Sequence, residues 1–312
     1  MLKSLDYFFV LRPMLFFPGW STLLAGYLIT SKSQIVFTKE ELYSINYPAL
    51  ILLMLAFAAA MGGSFLLNQL QDMETDLRNK KLFLLSEKYI SPKKAWTETT
   101  ILLFFALALA IYIHYSIFIV ILVFILITAF AYNFEPLALK NKPVGSLAAN
   151  TAMGWLAFAA GWFAVNKPNP DIVIDSLPYL FFNTALYFFT TLPDVSGDQS
   201  SNKNTLAVKM GFKAVILMAS GSYVLSIISG IISEDKWALI FILASLPFFI
   251  MVFFKQSVES TVKTTKYAIL FFAIAICLKI PFYFILMITI FMATRWYFKL
   301  RFNYDYPNFK GE

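Results

Sequence analysis

Long apolar runs recur along the whole chain, and most of them have the length of a membrane-spanning helix. They lie at about residues 12–30, 48–70, 96–113, 116–133, 145–165, 177–193, 213–232 and 237–254, and a last stretch covers 266–298. A helix needs about 20 residues to cross the ~30 Å hydrocarbon core of a bilayer. In lipid only helices and closed barrels satisfy the backbone, and these runs lack the alternation of barrel strands. The sequence therefore predicts an all-α, polytopic transmembrane helical bundle.

The composition agrees with lipid as the main solvent. Apolar residues make up 59% of the 312 positions and charged residues only 14%, whereas a soluble domain carries about 25% charged residues. The chain has too few charges to cover a surface that faces water, which excludes a soluble enzyme. Its net charge of +7 lies in short loops between apolar runs, so we expect membrane lipid as a partner and no nucleic acid.

The last apolar stretch is too long for one ordinary span. Lys279, Ile280 and Pro281 interrupt it, and we interpret it as two spans, which gives ten; a single bent helix would give nine. With ten spans, 20 of the 25 Lys and Arg residues fall on the side that holds both termini and loop 71–95. Basic loops stay cytosolic, so the charge distribution favours ten. We expect a multi-pass protein of a bacterial or archaeal cell membrane, with the loops described next in the cytosol.

Two acidic motifs follow apolar runs on that side. Asn68, Asp72 and Asp76 are spaced four apart, and residues at i and i+4 share one face of a helix. Asp194 and Asp198 repeat the spacing, 122 positions further along the chain. The repeated offset predicts two pseudo-repeated halves around a central cavity, within a single membrane-embedded domain that covers residues 1–312.

Carboxylates in this pattern are suited to magnesium and diphosphate. Mg²⁺ prefers oxygen ligands, usually one or two carboxylates together with substrate phosphates, and such ions neutralise charge on a departing diphosphate. Loop carboxylates beside lysines are usually only a solvated face, but two matching motifs at span ends on one side favour a site. Nearby lysines are candidates for diphosphate contacts: Lys80, Lys81, Lys140, Lys142 and Lys203.

The paired motif resembles the signature of the UbiA superfamily of intramembrane prenyltransferases. The resemblance extends over most of the chain, to about residue 255. Flanking segments match as well, namely Leu11-Arg12-Pro13, Tyr132 with Lys140, Leu192-Pro193-Asp194 and Thr205-Leu206-Ala207-Val208. The sequence Asn68-Gln69-Leu70 followed by Glu74 is most similar to the homogentisate and quinone-type aromatic prenyltransferases.

The resemblance implies Mg²⁺-dependent transfer of a polyprenyl group from a polyprenyl diphosphate donor to an acceptor, with release of diphosphate. It implies Arg12 as a further diphosphate contact and Tyr132 as a ring that stabilises the allylic cation. The acceptor would be an aromatic precursor of a quinone or tocopherol. Two Mg²⁺ ions, the expected cofactor, would be held by Asn68, Asp72, Asp76, Asp194 and Asp198.

Two alternatives stay open at this point. The same fold would also serve prenyl transfer to a glycerol-phosphate lipid or a tetrapyrrole. A transporter or lipid-binding protein without chemistry is the second alternative, although transporter sites usually lie near the membrane midplane. Four acidic residues on the opposite side look like solvated loop charges: Asp171, Asp175, Glu234 and Asp235.

Overall fold

The computed structural model describes residues 2–36, 38–78, 83–195, 198 and 205–307, and within these the chain forms helices joined by short connections. The helices are α1 (Leu2–Phe9), α2 (Phe16–Tyr27), α3 (Lys39–Ser44), α4 (Tyr47–Gln71), α5 (Met73–Arg78), α6 (Pro92–Ile113), α7 (Tyr115–Ile125), α8 (Pro143–Val165), α9 (Asp171–Thr190), α10 (Leu206–Met210), α11 (Phe212–Ile232), α12 (Lys236–Lys255), α13 (Val258–Lys279) and α14 (Pro281–Phe302). The predicted all-α class is confirmed.

Eight helical segments of the described residues are long and apolar enough to cross a membrane. Two further helices lie between them. One is α8, and the other is the shorter apolar helix Tyr115–Ala131, which consists of α7 and its π-helical continuation Leu126–Ala131. The chain is therefore a multi-spanning membrane protein. Whether nine or ten helices cross the bilayer stays a prediction.

The last apolar stretch consists of two helices, as the sequence predicts. Helix α13 ends at Lys279 and α14 begins at Pro281. Proline has no N–H to donate, so it interrupts one helix but fits the first turn of the next.

The first apolar run differs from its prediction as a single span at 12–30. Helix α1 ends at Phe9, and Arg12 adopts a left-handed conformation with φ 56° before a 3₁₀ turn at Pro13–Leu15. Pro13 explains the break, because a proline disfavours the α conformation in the residue before it. The break places Arg12 at one end of the bundle instead of inside a helix.

Successive long helices run antiparallel, which brings both acidic motifs to one end of the bundle. Helices α4 and α9 both terminate there, at Gln71 and Thr190, and we call it the motif end; the opposite one is the far end. The N-terminal segment reaches the same end, since Arg12 lies 3.9 Å from Asp76. The Asp6 carboxylate joins α1 to α14, because it accepts hydrogen bonds from Tyr297 (2.6 Å) and Arg301 (3.3 Å).

The predicted repeat has a counterpart in the packing. Helix α4 packs lengthwise against α6, and α9 packs in the same way against α11, so each motif-bearing helix contacts the membrane helix that follows its motif. The first helices of the two halves, α2 and α8, also pack closely together.

Two glycines make the contact between α2 and α8 possible. A Cβ on Gly26 would lie 2.0 Å from the carbonyl oxygen of Phe158, and a Cβ on Gly161 would lie 1.8 Å from that of Leu23. The two backbones therefore touch, which is how small residues act in membrane helix packing.

The far end contains a buried polar network that contradicts part of the sequence interpretation. Asp235 is fully buried and accepts hydrogen bonds from the Tyr179 hydroxyl (2.7 Å) and the Ala238 N–H (2.8 Å). Asp175 forms an ion pair with Lys32 (2.8 Å). These two carboxylates are not solvated loop charges, because helix ends pack over them; Asp171 and Glu234 are exposed as expected.

Substitution of Gly161 tests the contact between α2 and α8. We expect Gly161→Ala to destabilise the protein by about 1–3 kcal/mol, because the added methyl group forces the two backbones apart. Thermal unfolding in detergent measures this change.

Gly221→Ala in α11 is the matched control, because nothing lies within 4 Å of its Cβ position. Alanine is favoured over glycine in a helix by about 0.5–1 kcal/mol, so this variant should be as stable as the parent or slightly more so. Equal melting temperatures for the two variants would contradict the proposed close contact.

Candidate active site

The first acidic motif begins on the last turn of α4, where Asn68 contacts Asn133, just after the π-helical continuation of α7. The Asn68 amide nitrogen donates to Asp72 Oδ2 (3.2 Å) and to Asn133 Oδ1 (2.8 Å). Asn133 is itself buried, and its amide donates to the carbonyl oxygens of Thr128 and Ala129. Because the nitrogen of Asn68 is engaged in these bonds, its side-chain oxygen is the atom left to face a cation.

Asn133 is a residue of this site that the sequence interpretation missed. It belongs to neither motif and has no characteristic spacing. The only signal was its position directly after Tyr132, which the resemblance had singled out.

Lys140 contacts the carboxylate of Asp72. Its ammonium lies 2.9 Å from Asp72 Oδ1, and both side chains are mostly buried. A 3₁₀ turn, Leu139–Asn141, holds Lys140 there, and the Lys140 N–H donates to the Tyr132 carbonyl oxygen at 3.2 Å. The two oxygens of Asp72 are thus contacted by one amide and one cation.

Arg12 lies beside the second carboxylate of the motif. Its Nη2 is 3.9 Å from Asp76 Oδ2, an ion pair too long for a hydrogen bond. Nε and Nη2 of Arg12 are buried and have no hydrogen-bond partner among the described residues. Buried donors without a partner cost about 1–3 kcal/mol each, so this guanidinium is poised for an anion.

Asp194 and Asp198 of the second motif lie beyond the end of α9. The Asp198 N–H donates to the Asp194 carbonyl oxygen at 2.8 Å, which places the two carboxylates one turn apart. Asp194 is exposed and Asp198 is partly buried.

Tyr132 lies near carboxylates of both motifs. The pKa of its phenol is raised to about 12, chiefly by burial and also by the charges of Tyr187, Asp72 and Asp198, while a hydrogen bond with Asn150 acts in the opposite direction. A carboxylate from each motif is therefore close enough to act on one phenol. A phenol is neutral at physiological pH even at its ordinary pKa, so Tyr132 is an uncharged ring near carboxylates of both motifs.

Lys142, the other predicted cation among the described residues, is not part of this arrangement. Lys142 is exposed, and its ammonium donates to the carbonyl oxygen of Pro136 (3.1 Å) instead of approaching a carboxylate. Lys80, Lys81 and Lys203 lie outside the described residues. Among the predicted diphosphate contacts that the structure describes, the fold brings Arg12 and Lys140 to motif carboxylates.

The donor set fits magnesium that is bound together with a phosphate ligand. Over the described residues, no three Asp, Glu, His or Cys side chains are close enough to hold a metal ion by themselves. Mg²⁺ usually takes only one or two carboxylates from the protein and completes its shell with phosphate oxygens and water. Asn68, Asp72, Asp76 and Asp198 supply oxygens of the required kind at the motif end.

Comparison with solved structures finds the same architecture. A UbiA homologue from Archaeoglobus fulgidus bound to GPP and Mg²⁺ superposes with a TM-score of 0.67 at 20% identity, over 88% of this chain and 99% of that one. A digeranylgeranylglyceryl phosphate synthase gives 0.65 at 21% identity, over 89% and 97%. An apo UbiA homologue from Aeropyrum pernix K1 gives 0.62 at 14% identity, over 83% and 94%. At these identities the likeness shows the fold.

Sequence comparison identifies the family. No curated protein matches the chain. The model of the UbiA prenyltransferase family matches residues 19–273, which is more than half of the chain and includes both acidic motifs. The chain therefore belongs to the UbiA prenyltransferase family.

Proposed function

We propose that the protein transfers a polyprenyl group from a polyprenyl diphosphate to an acceptor in a Mg²⁺-dependent reaction, with the motif end in the cytosol. The observation that carries the proposal is the buried guanidinium of Arg12, which lies beside Asp76 and has hydrogen-bond donors without a partner among the described residues. An anion with several oxygens, such as a diphosphate, would accept these bonds.

Residues of both motifs would bind the magnesium diphosphate together with the nearby basic residues. Asn68, Asp72 and Asp76 would hold one side of the magnesium diphosphate, and Asp194 and Asp198 the other. Bound Mg²⁺ would neutralise negative charge on the leaving diphosphate. Arg12 and Lys140 would contact its oxygens, and Lys80, Lys81, Lys142 and Lys203 remain candidates for the same role.

The transfer step then needs little covalent help from the protein. The allylic C–O bond breaks with both electrons passing to the diphosphate oxygen. A nucleophilic atom of the acceptor bonds to the allylic carbon and loses its proton. Tyr132 would stabilise the developing cation; its neutral aromatic ring within electrostatic reach of Asp72 and Asp198 supports this role.

We propose an aromatic acceptor of the quinone or tocopherol type, on the basis of the similarity of the first motif to that branch. A glycerol-phosphate lipid is the second candidate, because one of the structures that the chain resembles is a digeranylgeranylglyceryl phosphate synthase.

Alanine substitution in either motif tests the proposed site. We expect Asp72→Ala and Asp194→Ala each to lower diphosphate release in detergent by about 100-fold or more, as removal of an electrostatic contact to a transition state does. Glu259→Ala is the control, since Glu259 is an exposed carboxylate in the first turn of α13, at the same end. Full activity in both aspartate variants would sink the proposal.

Metal removal tests the cofactor. Chelation with EDTA should abolish turnover, and excess Mg²⁺ should restore it, because the carboxylates and the diphosphate repel each other without a bridging cation. Turnover that persists in EDTA at the rate of the untreated protein contradicts a magnesium mechanism.

Product mass identifies the acceptor. The purified protein should convert geranylgeranyl diphosphate and an aromatic acid or hydroquinone into a product that carries the prenyl mass. A product formed only with a prenylated glycerol phosphate would select the second candidate, whereas unchanged donor with every acceptor argues against transfer.

A further inference from the structure

A cavity of about 640 Å³ lies at the far end of the bundle, between the ends of α2, α4, α7 and α8. The helix α4 connects it to the active site: Ala49 lines the cavity and Asn68 belongs to the first motif. At 1.5 Å per residue these positions are about 28 Å apart along the helix, nearly the thickness of the hydrocarbon core. The cavity is therefore separate from the active site and lies at the opposite membrane interface.

The polar lining of this cavity is suited to an anion. It contains no Asp or Glu; its polar residues are Tyr27, Asn46, His114, Tyr115, Asn166 and Lys167. Lys167 is exposed and has no ion pair or hydrogen bond within the described ranges. Its charge is thus available to a ligand.

His114 adds a hydrogen-bond donor at the same place. Its Nδ1 accepts the Ser116 N–H at 3.2 Å, which leaves Nε2 to carry the proton and donate. His114 also caps α7, and the N-terminal end of a helix carries partial positive charge. The donor, the helix end and the ammonium of Lys167 all favour negative charge in this cavity.

The rest of the lining is suited to hydrocarbon. Leu53, Ile113 and Phe163 form an apolar wall of the cavity. Ile111 and Tyr112, next to Ile113 in the sequence, are exposed on the outside of the bundle. Tyrosines at helix ends are typical of the membrane interface. The ligand that fits this combination has an anionic head at the interface and an acyl chain in the bilayer.

We propose that the cavity binds an anionic phospholipid from the leaflet at the far end, with Lys167 and His114 contacting its phosphate. A zwitterionic lipid fits less well, because the lining offers no carboxylate to its ammonium group. Asp175 and Glu234 line a smaller cavity that shares Asn166 with this one, and there Asp175 is paired with Lys32. The inference does not depend on the prenyl transfer reaction.

The wild-type protein tests the lipid class without any variant. It is reconstituted in nanodiscs of phosphatidylcholine with equal minor fractions of phosphatidylglycerol and phosphatidylethanolamine, and lipid retained after detergent transfer is counted by native mass spectrometry. We expect phosphatidylglycerol to be retained preferentially. Equal retention of the three lipids, preference for phosphatidylethanolamine, or complete displacement of lipid by inorganic phosphate would overturn the proposal.

Substitutions then test the contacts. Lys167→Gln should weaken phosphatidylglycerol retention about fivefold, as loss of one basic residue near an anionic surface does, and adding His114→Gln should weaken it further. Lys236→Gln is the matched control, because Lys236 is also an exposed lysine at the far end but does not line the cavity. Equal effects of Lys167→Gln and Lys236→Gln would show a diffuse surface attraction and contradict a defined site.

Discussion

Pairing of motif carboxylates with cations is the interaction on which the motif end of the bundle depends. A carboxylate near the membrane is costly to bury unless it is paired and hydrogen-bonded. Lys140 and Asn68 contact Asp72, and Arg12 lies beside Asp76. The same groups suit a substrate that brings both negative oxygens and divalent cations. Divalent cations can take the place of Lys140 and Arg12 beside the carboxylates, and the negative oxygens can take the place of the carboxylates beside Lys140 and Arg12.

The far end also contains buried charged groups, but there their partners are other groups of the protein. Asp235 is buried with Tyr179, and Lys279 is buried with its ammonium on the backbone and hydroxyl oxygens of Ser31 and near the ring of Trp237. These contacts join helix ends that are distant in sequence. The charged groups of this network are paired within the protein, whereas Arg12 at the motif end has donors without a partner in the described chain.

The apolar pattern was sufficient to predict the helical class, the break at Pro281 and the placement of both motifs at one end, because span length and loop charge follow from bilayer thickness and insertion rules. Contacts between side chains that are far apart in the sequence could not be predicted in this way. The support of Asn68 by Asn133 and the backbone contact at Gly26 and Gly161 arise between segments far apart in sequence. Asp235 was misjudged because burial by neighbouring helix ends leaves no local pattern.

The most direct measurement of the central claim uses Mn²⁺ in place of Mg²⁺. Electron paramagnetic resonance of the purified protein with an unreactive thiolodiphosphate analogue of the prenyl donor reports how many ions bind and whether they lie close together. We predict two Mn²⁺ ions with mutual spin coupling, bound only when the analogue is present, because carboxylates from both motifs share one diphosphate. Mn²⁺ that binds without coupling and is indifferent to the analogue would contradict a shared site.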